Sequence, residues 1–211
     1  MTNGLEPQQQ RSRETLARLL NATIDVLEEH GLSGATIPRI ADAAGVAPAS
    51  VYRRFRDKDA LFRAAFLQAL ETSAEANRKM MRIESFKDQT LEGVSGELVS
   101  AVLKQYRVSP GVIRALLRFI EDDTDKAFKI RTLAIISGNF ERLIEVLLTC
   151  RAQIAHSNPR RAVTFALLSM VTAVEVRTLE EVSVWRELLP VSDRELHREL
   201  TRSLLAYLQS R

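Results

Sequence analysis

The sequence predicts an all-α protein, with an N-terminal three-helix head that contains a helix-turn-helix and a larger helical region behind it. Three observations predict this. Leu, Ala, Glu and Arg dominate the 211 residues, while only eight Gly and six Pro are spread among them. Apolar residues recur at steps of three and four, and no alternation of the β-strand type persists. Finally, residues 36–58 carry the start and stop signals of two short helices joined by a Gly-containing turn. The apolar and charged fractions, 45% and 27%, are those of an ordinary globular protein, and the length suffices for one large or two small domains with a core.

In chain order, residues 1–12 are polar and read as a disordered tail. A contact of Arg11 and Arg13 with a DNA backbone or minor groove is the weaker alternative there. A first helix follows over 13–30, where Leu16, Leu20, Ile24 and Leu27 keep helical spacing and Gly31 closes the segment. Thr36 is suited to cap a second helix, because its hydroxyl accepts an orphan N–H, and Pro38 loses no donor in that first turn. Ile37, Ile40, Ala41 and Ala44 form its apolar face, and Gly45 ends it. Pro48 opens a third helix whose Val51 points inward with Phe55, leaving Ala49, Ser50, Tyr52, Arg53 and Arg54 on the outer faces. Small, hydroxylic and guanidinium side chains suit a DNA groove, and in a helix-turn-helix the second helix enters it.

These residues resemble the DNA-binding domain of the tetracycline repressor (TetR) family of bacterial transcription regulators. The resemblance covers 13–66 and is carried by Gly31, Leu32 and Thr36, by Ile40-Ala41, Ala44-Gly45-Val46 and Val51-Tyr52, and by Phe55, Lys58 and Leu61. It implies phosphate contacts at Thr36, Tyr52 and Lys58, and a base-reading surface at Pro48, Ala49, Ser50 and Arg53. Three positions depart from the family pattern. Ala47 stands where a capping Ser or Thr is usual, at a cost of about 1 kcal/mol of local helix stability. Ala49 replaces a common Gly, and Arg54 replaces a common His, adding a cation for a phosphate.

The remaining segments also read as helices. Asp57 caps one that runs to about residue 81 through Ala60, Leu61, Ala64, Ala65, Leu67 and Leu70. Residues 89–106, interrupted by Gly93 and Gly96, form the next, and Ser109-Pro110 opens another to about residue 121. A long helix is expected over 125–155 on the period of Leu133, Ile136, Phe140, Leu143 and Leu147. Ser137-Gly138-Asn139 inside it reads as a tight helix crossing in preference to a kink. Asn158-Pro159 opens a segment to residue 179 that is nearly all apolar over 162–176, too short and interrupted for a membrane span and hence expected inside protein. Ser192 or Asp193 caps a last helix with Leu196, Leu200, Leu204 and Leu208.

The resemblance implies a DNA-binding domain over 13–57 and a ligand-binding and dimerisation domain over 58–211. Its partners would be a palindromic double-stranded operator, a second copy of the chain through 158–179 and 193–209, and a small-molecule effector. A repressor that the effector releases from DNA is the expected mechanism. Residues proposed to line the effector site are Tyr106, Phe119, Phe140, Phe165 and Met170, with Arg114, Asn139 or Glu175 as polar anchors. Glu175 is singled out because a carboxylate in an apolar helix must be paired, neutral or exposed, and a cationic ligand, Arg177 or an Arg of a second copy are the alternatives for its partner.

Other classes are weakly served. The net charge of +3 permits nucleic-acid binding without requiring it; residues 1–63 hold nine basic and eight acidic residues, or 9 − 8 = +1. Local order says more, since Arg53, Arg54, Arg56 and Lys58 cluster against Asp57. Cys150 is the single cysteine, His30, His156 and His197 are scattered, and no zinc spacing, P-loop, dinucleotide fingerprint or nucleophile elbow occurs. No enzyme activity, cofactor or metal is expected. The N-terminus lacks an apolar signal core, so the expectation is a cytoplasmic protein with no membrane partner. The rival reading is a helical protein-interaction adaptor whose head no longer binds DNA, which the alanines at 47 and 49 slightly favour.

Overall fold

Glycine punctuates the head where the backbone must reverse. Gly31 and Gly45 have φ of 61° and 65°, in the left-handed region that side chains with a Cβ resist. The computed structural model describes residues 5–180 and 182–210. Its helices are α1 (Leu5–Gly34, broken at Gly31), α2 (Ile37–Ala43), α3 (Pro48–Tyr52), α4 (Lys58–Met80), α5 (Leu91–Val108), α6 (Pro110–Asp122), α7 (Lys126–Leu148), α8 (Pro159–Leu179), α9 (Val184–Leu188) and α10 (Asp193–Gln209). No strand occurs among the described residues.

The chain forms two compact units. The first runs to Ser73 and includes Gly111–Thr132; the second comprises Ala74–Pro110 and the chain from Leu133 onward. This departs from the expected division at 57/58, and the reason is the head's small core. Helices α1 to α3 contribute Leu19, Leu20, Leu27, Ile40 and Val51, α4 adds Leu61, Phe62 and Phe66, and α6 completes the cluster with Val112, Leu116 and Phe119. Phe119 sits edge-on to Phe62 and Phe128, with ring centroids 5.8 and 5.7 Å away.

Two polar contacts fix α6 in that unit. Glu28 Oε2 accepts the Val112 N–H at 2.8 Å, and Gly111 lies so close to α1 that an added Cβ would stand 2.4 Å from the Glu28 carbonyl oxygen. Arg63 donates to both oxygens of Asp123, Nε at 2.8 Å and Nη2 at 2.5 Å, with the Asp123 side chain 2% exposed. The bidentate fork holds the Asp123 carboxyl below the usual carboxylate range and the Arg63 guanidinium above its own.

In the second unit α5, α8 and α10 pack around Leu91, Val94, Leu98 and Val99, around Val163, Leu167, Met170 and Val174, and around Leu196, Leu204 and Leu208. Helix α7 adds Ile144, Val146 and Leu147. Ser192 caps α10, and Glu195 reaches back to its backbone N–H at 2.8 Å, completing a capping box. Helix α8 is long and apolar enough to cross a membrane by length and composition. It nonetheless buries one face in this core and exposes Phe165 and Leu168 on another.

Several expectations need correction. Residues 5–12 are helical and continue α1, whereas 1–4 lie outside the described residues. Helix α7 stops at Leu148, seven residues early, because Thr149 Oγ1 donates to the Val146 and Phe86 carbonyls and the chain turns at Cys150. The helix is continuous through Gly138, where an added Cβ would meet nothing within 4 Å, so no tight crossing lies there. Helix α9 has no counterpart among the expected elements; its apolar residues face outward, so no burial pattern marks it.

Asp123→Ala should leave Arg63 only its longer ion pair with Asp125 and lower stability by about 3 kcal/mol in urea unfolding followed by circular dichroism at pH 7. Because the folded Asp123 pKa is depressed, its contribution is complete above the unfolded value near ~3.9 and is lost as pH falls through the folded one. The gap between wild type and Asp123→Asn should therefore close below about pH 4.

Candidate nucleic-acid interface

The geometry of the turn follows from its residues. Thr36 Oγ1 accepts the Arg39 N–H at 3.4 Å, and the Val46 N–H returns to the Ala41 carbonyl at 2.9 Å once Gly45 has reversed the chain. Ala47 is extended (φ −70°, ψ 143°), as the residue before a proline prefers, and offers α3 no side-chain cap. Pro48 occupies the first turn of α3 without losing a donor. Only Val51 of this five-residue helix is buried; Phe55, just beyond it, packs partly on the same core.

The rest of the helix faces solvent. Pro48, Ala49, Arg53 and Arg54 are exposed, Ser50 is half-buried, and Tyr52 is 60% exposed although it is a large aromatic. Arg53 Nη2 donates to Ser50 Oγ at 2.8 Å, holding its fork over the start of the helix. Arg54 Nη1 donates to Ser12 Oγ of α1 at 3.3 Å. Beyond α3, Asp57 Oδ1 accepts the Ala60 N–H at 2.7 Å and Asp57 Oδ2 accepts from Arg56 at 2.8 Å. That backbone hydrogen bond, with Arg56 second, keeps the Asp57 carboxyl below its ordinary range. The Lys58 ammonium stands 5.3 Å from the Phe62 ring centroid, a cation–π contact that restrains it without neutralising it.

The eight residues expected to contact DNA thus lie within one short stretch, with Thr36 exposed at the start of α2, 48–54 on and after α3, and Lys58 at the start of α4. Hydroxyls at 36, 50 and 52 can hydrogen-bond phosphate or base, and the Arg53 fork has the shape to meet a guanine edge. Ser12 is an addition that the sequence does not announce, since nothing links it to a residue 42 positions away.

The residues expected to line an effector site are divided. Arg114 and Phe119 belong to the first unit, where Phe119 is core packing against Phe62, Phe66 and Phe128. In the second unit Met170 is buried, Phe140 packs partly against that core, Asn139 is half-buried, and Phe165 is exposed beside Tyr207, ring centroids 5.4 Å apart. Tyr106 and Glu175 do meet, the Tyr106 hydroxyl donating to Glu175 Oε1 at 2.6 Å. Burial, then this bond, raises the Tyr106 pKa. Among the described residues no three His, Cys, Asp or Glu side chains are grouped to hold a metal ion.

Two short helices joined at Gly45, the second with its outer face exposed and hydroxyls and cations around it, have the form of a helix-turn-helix. Residues 19–65 match the family described as bacterial regulatory proteins, tetR family. The transcriptional regulator TcmR of Streptomyces glaucescens is 26% identical over 135 residues, 57% of this chain and 60% of TcmR, so the match spans less than two thirds of that relative. A TetR-family regulator from Mesorhizobium loti superposes with a TM-score of 0.64 at 18% identity, covering 94% of this chain and 96% of that one. FadR from Bacillus subtilis, solved with stearoyl-CoA, superposes with a TM-score of 0.62 at 17% identity over 92% and 97%. At such identities the likeness is one of fold.

Tyr52→Phe and Lys58→Ala should weaken binding by a similar factor on every duplex tested, because a phosphate looks the same beside every base, whereas Arg53→Ala should change the ranking of duplexes. Competition titrations against a panel of single-base variants separate the two behaviours.

Proposed function

We propose that this protein is a sequence-specific transcriptional repressor that binds a palindromic operator as a homodimer and leaves it when a small molecule binds. The observation that carries this reading is the bare outer face of α3, where Pro48, Ala49, Ser50, Tyr52 and Arg53 stand clear of a core that takes only Val51 from this helix. A face of that composition has a use in the major groove and costs stability elsewhere. No catalytic activity and no cofactor are proposed, and the place of action is the cytoplasm, where the operator is.

Dimerisation is supported by α8 and α10, which pack on each other while α8 turns Phe165 and Leu168 outward at 53% and 61% exposure. Pairing through these helices gives two heads, and two-fold symmetry then calls for half-sites about 34 Å apart or multiples of it. FadR, solved with stearoyl-CoA, supports a small-molecule effector, and we assign its site to the second unit. The Tyr106–Glu175 pair is the polar anchor we assign to it; a ligand group that donates hydrogen bonds or carries positive charge would compete with Tyr106 for Glu175 Oε1. Helix α4 begins with Lys58 in the first unit and ends in the second, so it is a covalent element through which the effector would shift the population of DNA-competent heads.

Selection from a random duplex library by the purified protein, then affinity against salt on the winner, should return an inverted repeat with a steep salt slope. No enrichment at low salt by the folded protein would refute the repressor reading. Replacing Phe165 and Leu168 together by Glu should halve the mass seen by light scattering while leaving the far-ultraviolet spectrum unchanged.

A further inference from the structure

Helix α1 is longer than its packing requires. Its buried stripe begins at Leu19, with Leu16 partly covered, whereas residues 9–14 are all exposed. Those turns bury no apolar face, and polar turns at a helix end ordinarily fray. Among the described residues, a side-chain hydrogen bond from Arg54 Nη1 to Ser12 Oγ ties them to the rest of the head. Arg54 lies two residues past Tyr52, the last residue of α3, so Ser12 is held near the end of that helix. Arg11 and Arg13 flank Ser12 in sequence; both are exposed, and neither has an acidic partner among the described residues. The nearby carboxylate, Glu14, instead accepts from Gln10 at 3.1 Å.

We infer that Arg54 is a positioning residue, which holds the first turns of α1 beside α3 so that Arg11 and Arg13 form a second grip on the phosphates bordering the groove. This rests on the DNA-binding reading and deepens it. Two chemical facts favour phosphate as the ligand. A hydroxyl partner fixes the Arg54 guanidinium without neutralising it, and the arginines on either side present planar donor forks to the solvent. Such contacts add affinity and orientation and carry no base information. Arg54 thus contributes twice, as a cation and as the clasp for two more.

The test uses full-length protein and the duplex it selects, comparing wild type, Arg11→Ala, Arg13→Ala, the double variant and Ser12→Ala across a salt series. The double variant should bind more weakly at low salt. Its slope of log affinity against log salt should be smaller by about 0.9 for every phosphate that a head no longer neutralises, and by twice that for a two-headed dimer. Its ranking of single-base variants should match wild type. Ser12→Ala removes no charge and raises helix propensity, yet should reduce the slope in the same direction, and should add little when combined with the double variant. Unchanged affinity and slope in the double variant, on a duplex that wild type binds, would overturn the inference and leave the DNA-binding reading standing. Failure of wild type to bind any duplex would overturn both.

Discussion

A helix of five residues cannot sustain itself in water, because the cost of its first turn exceeds what so few hydrogen bonds return. Helix α3 persists because Pro48 presets its start and Val51 is anchored in a core built by other elements. The demand on that core is severe, since every side chain of α3 left exposed is withdrawn from packing. Helix α6 answers the demand, bringing Phe119 among Phe62, Phe66 and Phe128 and closing on α1 at Gly111, while the Arg63–Asp123 fork fixes the junction that follows. The core under α3 is thus completed by residues far along the chain.

The same economy governs charge. Around α3, cations are held by groups that do not neutralise them: Arg53 by Ser50, Arg54 by Ser12, Lys58 by the Phe62 ring. Arg56 is the exception, neutralised by Asp57, whose other oxygen caps α4. In the second unit the pattern reverses, with Arg78 against Glu75, Arg107 against Asp193 and Arg160 between Glu141 and Glu145. Net charge over 1–63 hides this difference, because what matters to a phosphate is which cations remain unmatched.

Much of the head is legible in the sequence because its signals are local. Thr36, Gly45, Pro48 and Asp57 act within three or four residues of themselves, and the structure places each in the role its chemistry suggests. Contacts between distant residues are not legible in that way. Nothing near Phe119 distinguishes a core aromatic of the head from one lining a ligand site, and nothing near Arg54 points to Ser12. The end of α7 falls short of its expected place because apolar periodicity continues past Leu148 into residues that pack without being helical, Cys150 and Ile154 among them. The Tyr106–Glu175 contact fits the expectation that a carboxylate in an apolar helix finds a partner, although that partner is a phenol and not the arginine that charge alone would suggest.

The central claim is that α3 reads base edges from the major groove while the surrounding cations hold the backbone. Methylation interference on the selected duplex tests it most directly, since methylation of guanine N7 adds bulk in the major groove alone. The account predicts that methylated guanines are excluded from the bound fraction in two clusters related by two-fold symmetry, one for each head. Bound complexes indifferent to N7 methylation throughout, with affinity set only by salt, would contradict it.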